Sequence, residues 1–357
     1  MRPGSLDFLK AIVNVPSPSG YEEGAAKVFR DYTGAFADHV ETNVHGSVWA
    51  VLNPGATARV MLAGHMDEIG FIVVYVSDEG LVYFSRIGGH DTMIALGQRV
   101  WIHNESGRVP GVIGRKPIHL LESSEKDKRP ELHDMWIDIG AVDRAEAEKL
   151  VTVGDPVTYQ WEFAELAGDR VTARGFDNKM GAYVVAEALR ILKEDGGLDP
   201  NVGVYATATV QEEIGLRGAT TSSYAIQAQS GLAVDVDFAI DHPGLAKSRY
   251  GDAEMGKGPT VTRGANVNPV VYRLLQKASK DEKISIQLVA DGGATGTDAN
   301  AMQLSRSGMA TGVVGVPIRY MHTPCETLSL GDVEDCAKLM AGYCKLVRPD
   351  TVFTPGT

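Results

Sequence analysis

The sequence predicts an α/β fold, a central mixed sheet flanked by helices, into which a small β-barrel-like domain is inserted. Two observations predict it: helical and strand-like segments alternate regularly after Arg174, and the segment 71–166 is rich in strand-like runs with little helix. The 357 residues, 44% hydrophobic and 22% charged, have ordinary globular composition and suffice for two domains. We therefore predict an α/β domain formed by 1–70 and 167–357, and a β domain formed by 71–166.

The first elements are predicted helices at 4–14 and 21–35. Apolar residues recur there at helical spacing, and the segment PSPSG at 16–20 separates the two helices. From His39 the pattern changes to short β-rich runs, of which ARVMLAGHM at 58–66 is strongly apolar. These runs are the first predicted strands of the central sheet.

The segment 71–166 differs from the rest of the chain in its residue pattern. Runs such as FIVVYV, LVYFSRI and MWIDIGA are strand-like and are separated by glycine, aspartate and asparagine turns. After Arg174, helices are predicted at 178–194, 216–229, 267–280, 298–308 and 332–347, and strands at 202–210, 231–237, 284–289 and 310–315. Sheets built in this way bind ligands beyond the carboxyl ends of their strands, so the residues that follow each strand are the first candidates for a site.

Charge and composition exclude several classes of partner. Lys and Arg number 34 against 46 Asp and Glu, a net charge of −12, which disfavours nucleic acid and anionic membranes. No run approaches the roughly 20 apolar residues of a membrane span, and the first residues do not resemble a signal peptide. Three cysteines cannot form a complete disulfide framework. We therefore expect a cytoplasmic protein without nucleic-acid or membrane partners.

Side chains of metal-ligand type follow the predicted strands. His65 and Asp67 form an H-x-D pair after the strand at 59–64, and residues two apart in extended chain face the same side. Asp67 could therefore orient His65 as a metal ligand, although a pair at the protein surface would have the same spacing.

Two aspartates have a metal-binding and a structural interpretation. Asp177 lies in the polar turn ARGFDNKMG before a predicted helix, where aspartate is also a favoured helix cap. Asp235 lies in the apolar run GLAVDVDFA, and a buried carboxylate must be paired or bound to a metal. A salt bridge therefore explains Asp235 as well as a ligand role does.

Glu212 and Glu213 directly follow the strand at 202–210. Adjacent residues of an extended chain face opposite sides, so one carboxylate could face a metal and the other the substrate. His322, in GVPIRYMHTPCET, follows another apolar strand, and a histidine in such a place is by itself most often structural. Together these histidines and carboxylates suit zinc, cobalt or manganese, and they are too many for a single catalytic ion, whereas two ions that share a carboxylate would use them all.

The motifs AGHMDEIGF, FDNKMG, QEEIGLRGA, AVDVDFA, GTDAN and RYMHTP occur in this order along the chain. With them, the sequence resembles the cytosolic dinuclear metallo-aminopeptidases of the glutamyl or deblocking aminopeptidase family, some of which assemble as tetrahedral particles of twelve subunits. The resemblance extends from VPSPSGYEE at 15–23 to SLGDVEDCAKL at 329–339. It implies a zinc exopeptidase-like fold and hydrolysis of the N-terminal peptide bond of peptides.

The resemblance also implies a ligand set for two divalent ions per subunit. His65, Asp177 and Asp235 would hold one ion, and Asp177, Glu213 and His322 would hold the other, so that Asp177 bridges the two. Zinc is the first expectation, and cobalt and manganese tolerate the same ligands.

Two further residues would complete the catalytic machinery. Asp67 would orient the metal ligand beside it, and Glu212 would act as the general base. By this resemblance, Glu212 takes a proton from the water that bridges the two ions and later delivers it to the leaving amine.

For the inserted segment 71–166 the resemblance implies dimerisation and assembly of dimers into a dodecamer. His119, in GRKPIHLL, lies in this insert, and such a loop could reach the active site of a neighbouring subunit. Asn178 departs from the family pattern, since many relatives carry a second aspartate there. Cys325 lies near His322 and could bind a metal or be oxidised, although a loop thiol without a role is the first expectation.

Two alternatives remain beside the aminopeptidase. One is a non-catalytic assembly protein that retains the fold, and the other is a glycan hydrolase that uses Glu212 and Glu213 as its acid and base. The pocket that receives the side chain of the substrate's first residue is expected among residues that lie between strands. These are Asp291, Thr295, Thr297, Asp298 and Arg319.

Overall fold

The structure is a computed structural model that describes residues 1–356, apart from the side chain of residue 125. Its helices are α1 (Pro3–Asn14), α2 (Glu23–Thr33), α3 (Thr92–Ala95), α4 (Ser123–Lys126), α5 (Arg144–Ala147), α6 (Phe176–Asp195), α7 (Arg217–Ile226), α8 (Lys247–Tyr250), α9 (Pro269–Asp281), α10 (Asp298–Met302) and α11 (Leu330–Leu346). Its strands are β1 (His39–Thr42), β2 (Val48–Leu52), β3 (Ala58–His65), β4 (Gly70–Val76), β5 (Val82–Ile87), β6 (Arg99–Asn104), β7 (Gly107–Gly114), β8 (Trp136–Asp138), β9 (Pro156–Tyr159), β10 (Ala164–Glu165), β11 (Arg170–Ala173), β12 (Val202–Thr209), β13 (Ser230–Phe238), β14 (Thr260–Gly264), β15 (Gln287–Asp291), β16 (Ala310–Ile318) and β17 (Glu326–Ser329).

The central sheet has eight strands in the order β1-β2-β12-β3-β13-β16-β14-β15. Its inner strands β12, β3, β13 and β16 run parallel, whereas β2 and β14 are antiparallel to their inner neighbours. In register, Thr209 of β12 lies beside His65 of β3, and Asp235 of β13 lies beside Gly315 of β16. Because the parallel strands end at one edge, the side chains that follow them converge there.

Helices cover both faces of this sheet because its inner strands are apolar on both faces. Val60 and Leu62 of β3 belong to the larger core, which includes the buried residues of α6 and α11. Met61 and Ala63, which alternate with them, belong to a smaller core that includes residues of α7 and α10. Within the described part of the chain, no helix has the length and apolar character needed to cross a membrane.

Six strands between residues 70 and 159 close into a barrel in the order β4-β5-β8-β7-β6-β9. The barrel has its own apolar core, in which the ring of Phe71 meets those of Phe84 and Tyr159 edge-on, with centroids 4.9 and 5.4 Å away. Closure leaves no unpaired strand edge. The predicted fold class, a mixed sheet flanked by helices with a small barrel, is therefore confirmed, while the domain boundaries at 71 and 166 stay a prediction.

Some short elements are not predicted by the sequence pattern. These are the five-residue strand β14 and a separate antiparallel sheet, β10-β11-β17, whose strands are only two to four residues long. The helix predicted at 298–308 was too long, since α10 ends at Met302. Arg306 and Gly308 have φ values of 55° and 109°, which a right-handed helix does not accommodate.

Candidate metal centre and active site

His65 ends β3 and is buried together with Asp67. Its Nδ1 lies 3.3 Å from Asp67 Oδ1, so the carboxylate fixes the orientation of the ring. Asp67 also accepts hydrogen bonds from Ser19 Oγ at 2.6 Å and from the backbone N–H groups of Glu212 and Glu213 at 3.0 and 3.2 Å. The aspartate thereby joins the end of β3 to the turn that follows β12. A pair at the surface, which the spacing alone allowed, is not observed.

Asp177 lies at the start of α6, where its backbone is not yet helical. Its two carboxylate oxygens face different imidazoles: Oδ1 is 3.3 Å from His65 Nε2, and Oδ2 is 3.2 Å from His322 Nε2. Its neighbour Asn178 donates from Nδ2 to the carbonyl of Val234 at 2.9 Å, which ties this turn to β13. The carboxylate therefore lies midway between the two histidines.

The remaining carboxylates surround these histidines. Glu212 Oε2 and Asp235 Oδ1 lie 3.7 and 3.8 Å from His65 Nε2. Glu213 Oε1 lies 3.5 Å from His322 Nε2. Both glutamates line the cavity although they are adjacent in sequence. The chain is not extended here, because a turn follows β12 in which the carbonyl of Glu212 accepts hydrogen bonds from two later backbone N–H groups.

Distances between potential ligand atoms define two groups in the described residues. One joins His65, Asp177 and Glu213, and the other joins His65, Glu212 and Asp235, with all ligand atoms of a group within 4.8 Å of one another. These groups differ from the ligand sets implied by the resemblance, since both contain His65 and neither contains His322. The structure thus brings all the predicted site residues together, while their division between two ions stays a prediction.

Buried negative charge dominates the electrostatics of this cluster. Burial raises the pKa of Glu212 to about 9, although a charged His65 opposes the shift. Burial and neighbouring carboxylates also raise the pKa values of Glu213 and Asp235 well above the ordinary range. Several buried carboxylates so close together are unfavourable unless cations compensate them.

The histidines compensate only part of this charge. Burial alone would raise the pKa of Asp177, but hydrogen bonds to His322 and His65 outweigh it and lower the pKa below the usual range. Burial would lower the pKa of His65, yet the surrounding carboxylates raise it well above its ordinary value. A divalent ion would replace such a proton as the compensating charge.

Sequence reasoning missed Glu326, the first residue of β17. It is buried, and its Oε2 and Oε1 accept hydrogen bonds from the backbone N–H groups of Asp177 and His322, both at 3.0 Å. The available signal was a lone acidic residue at the start of the short run ETLS, four positions after His322. Glu326 positions two predicted ligands at once.

A buried ion network beneath the site was also missed. Glu68 accepts hydrogen bonds from the guanidinium of Arg174 and, at 2.8 Å, from Lys179 Nζ. Lys179 Nζ also donates to the carbonyls of Val13 and Val15 at 2.9 and 2.8 Å. Because Glu68 follows Asp67 and Lys179 lies two residues after Asp177, the network fixes the backbone on both sides of the cluster.

The cluster opens into a cavity of about 740 Å³. Of the pocket residues expected from sequence, Asp291, Thr295 and Thr297 line this cavity. The expectation was wrong for two others. Asp298 is buried and accepts a hydrogen bond from Thr209 Oγ1 at 2.5 Å, and Arg319 pairs with the carboxylate of Asp241 at 2.6 Å, so neither lines the cavity.

Residues 46–339 match the M42 glutamyl aminopeptidase family. The chain belongs to this family. It is therefore an aminopeptidase, a hydrolase of peptide bonds, and M42 peptidases depend on metal ions. The predicted resemblance is confirmed.

Relatives of this M42 peptidase match it over nearly their full length. It is 34% identical over 354 residues to the lysyl aminopeptidase of Pyrococcus furiosus, with 98% of this chain and 99% of the relative covered. The TET aminopeptidase of a marine sediment archaeon of the Thaumarchaeota superposes with a TM-score of 0.92 at 35% identity, covering 97% and 98% of the two chains. The TET1 peptidase of Pyrococcus horikoshii, which can assemble into a tetrahedron or a large octahedral shell, superposes with a TM-score of 0.84 at 31% identity, covering 96% and 100%.

Two other residues noted in the sequence lie outside this M42 site. His119 is exposed in a short 3-10 helix, Ile118–Leu120, and does not line the cavity of its own chain. Cys325 is half-buried, with Sγ 3.5 Å from Thr323 Oγ1. A contact of His119 with a neighbouring subunit stays a prediction.

Proposed function

We propose that this M42 peptidase removes N-terminal residues from peptides with two divalent ions per subunit and with Glu212 as general base. The observation that carries the proposal is Asp177, whose two oxygens face His65 and His322 separately. A carboxylate placed in this way is suited to bridge two ions. His65, Asp177 and Asp235 would hold one, and Asp177, Glu213 and His322 would hold the other.

The residues present fit such ions. Imidazole nitrogens and carboxylate oxygens are the donor set that zinc prefers, and cobalt and manganese accept the same donors. Glu213 Oε1 is buried and has no hydrogen-bond partner among the described residues, which is the expected state of a ligand atom whose partner is an ion. Zinc is the ion we propose first.

Bound at this site, two divalent ions would polarise the scissile carbonyl and lower the pKa of the attacking water. Glu212 accepts the proton that this water loses as its oxygen forms a bond to the carbonyl carbon. When the carbon–nitrogen bond breaks, Glu212 delivers the proton to the leaving amine. Asp67 holds the His65 ring, and its hydrogen bonds to the N–H groups of Glu212 and Glu213 keep both glutamates at the cavity wall.

Glycan hydrolysis is a weaker candidate. In a glycoside hydrolase, two carboxylates flank the scissile glycosidic bond, and no imidazole is needed. Here Glu212 and Glu213 border His65 and His322 instead. The non-catalytic alternative is disfavoured because the proposed ligands and base all meet at one cavity.

We also propose that the barrel segment, residues 71–166, forms the dimer contact and that dimers assemble into a dodecamer. Large apolar side chains are exposed on this segment, among them Met93, Ile118, Leu120 and Val142, and such groups mark interaction surfaces. A similar solved structure, of a TET1 peptidase, is a dodecamer, which supports the same assembly. Light scattering should then give the mass of about twelve chains of 38.2 kDa each.

The deciding experiment measures metal content and hydrolysis of aminoacyl chromogenic substrates together. We expect about two ions per chain, loss of activity with chelator, recovery on adding zinc, and loss of activity in Glu212→Gln with its metal retained. Glu41→Gln, at an exposed position of β1 outside the barrel segment, is the matched control. A Glu212→Gln enzyme that retains wild-type kcat would overturn the assignment of the base, and a single bound ion in a fully active enzyme would overturn the dinuclear site.

A further inference from the structure

We propose that Asp237 and Asp291 select peptides whose first residue carries a long cationic side chain, that of lysine or arginine. The inference rests on the proposed function and concerns the part of the same cavity that is lined by residues outside the proposed ligand set, here called the cavity end. Both aspartates line this cavity, and neither belongs to the proposed ligand set.

The position of Asp237 follows from the strand that carries it. Asp237 lies two residues after Asp235 on β13, so both side chains point to the same face of the sheet. Two residues of extended strand span roughly 6–7 Å. A substrate whose first carbonyl lies at the cluster beside Asp235 would reach Asp237 with the four-carbon stem of a lysine side chain.

Space for the carboxylate of Asp237 is made by a glycine on the adjacent strand. A Cβ atom on Gly315 of β16 would lie 2.8 Å from Asp237 Cβ and 2.3 Å from Thr260 Oγ1. Thr260 of β14 donates a hydrogen bond to Asp237 Oδ2 at 2.7 Å. The carboxylate is therefore held in one orientation across three strands.

The walls of the cavity suit an aliphatic stem with a charged end. Tyr250, Ala253 and Val289 also line the cavity and contribute apolar surface. Such surface packs against methylene groups while the ammonium or guanidinium group reaches a polar end. The cavity end is thus amphipathic in the same way as the side chain that we assign to it.

The charge of this cavity end is uniformly acidic. The carboxylates of Asp237 and Asp291 both line the cavity. Among the described residues, no lysine or arginine lines the cavity. Arg319, which lies near in sequence to Met321 of the lining, is engaged by Asp241. An acidic side chain would meet repulsion here, whereas a cationic one would relieve it.

The test compares kcat/KM for lysyl, arginyl, leucyl and glutamyl chromogenic substrates on the metal-loaded full-length enzyme. We expect lysyl and arginyl substrates to exceed leucyl at least tenfold, with glutamyl the poorest. Asp237→Asn and Asp291→Asn should each lower the ratio of lysyl to leucyl kcat/KM about tenfold, mainly through KM. Asp350→Asn, at an exposed position outside the cavity, should leave this ratio unchanged.

A charge-reversal variant at Asp291 keeps the inference testable even if the Asp237 variant does not fold. Asp291→Lys should raise the glutamyl rate relative to the lysyl rate, in protein whose circular dichroism matches wild type. A wild-type preference for leucyl or glutamyl substrates, or variants that slow all substrates alike, would overturn the inference. Failure to hydrolyse any substrate at full metal occupancy would instead count against the proposed function.

Discussion

The backbone N–H of Asp177 donates a hydrogen bond to Glu326 Oε2 at 3.0 Å, which links the start of α6 to the start of β17. The other oxygen of Glu326 holds the backbone N–H of His322 at the same distance. One buried carboxylate thereby sets the separation between a proposed bridging ligand and a proposed terminal ligand.

Replacing Glu326 should weaken metal binding. In Glu326→Gln only one side-chain oxygen can accept a hydrogen bond, so Asp177 or His322 loses its support. Loss of such partners of metal ligands reduces affinity about 10–100-fold. Titration of the metal-free enzyme with zinc, read by recovered activity, should show this shift, with Glu334→Gln, partly exposed on α11, as the control. Equal zinc affinities for wild type and Glu326→Gln would contradict the positioning role.

Glu68→Gln should destabilise the whole domain. It leaves Arg174 and Lys179 buried without their counter-charge, and breaking a buried pair in this way costs about 3–5 kcal/mol. Glu165→Gln is the control, because Glu165 pairs with Lys10 at an exposed position where ion pairs contribute about 0–1 kcal/mol. Thermal unfolding of both variants should show a lower midpoint for Glu68→Gln alone. Similar midpoints for the two variants would show that the network is not structurally important.

Gly64→Ala should disturb the site by separating β3 from α6. A Cβ atom on Gly64 would lie 2.3 Å from the backbone carbon of Gly181, where no flexible side chain can move away. Overpacking of this kind costs about 1–3 kcal/mol. His65 and Asp177 lie on these two elements, so the metal content should fall together with stability.

Gly55→Ala provides the matched control for this substitution, because a Cβ atom there would have no heavy atom within 4 Å. Its metal content and unfolding midpoint should equal those of wild type. A Gly64→Ala protein that also binds metal normally would mean that the strand and the helix have room to separate.

His103 should make stability depend on pH in the acidic range. Burial lowers the pKa of His103 to about 4 from an ordinary value of 6.5. Between these values the unfolded chain binds a proton that the folded protein does not, so stability falls as the pH falls from 6.5 to 4. His103→Gln cannot titrate and can still hydrogen-bond Thr158, which lies 2.8 Å from His103 Nε2. Unfolding midpoints measured across this range should decline less steeply for the variant, and an unchanged slope would contradict the assignment.

The local pattern of the chain was sufficient to predict most of the fold. Long apolar runs with a clear period, such as those that become β3, β12 and α11, carry their structure in neighbouring residues. The short strands β10, β11 and β17 were not predicted, because β11 is held by pairing with β17, whose residues lie more than 150 positions later. Pairing over such a distance leaves no signal in the residues of either strand.

The same distinction applies to the site. The sequence indicated which residues to consider, because ligand-type side chains inside apolar runs, after them or in the polar turns before helices are a local feature. These residues are His65, Asp67, Asp177, Glu212, Glu213, Asp235 and His322. That Asp177 faces both histidines, that Glu326 supports it, and that Glu68 pairs with Arg174 and Lys179 became visible in the folded structure alone. Those contacts join residues 100 or more positions apart, so they exist only after the sheet has assembled.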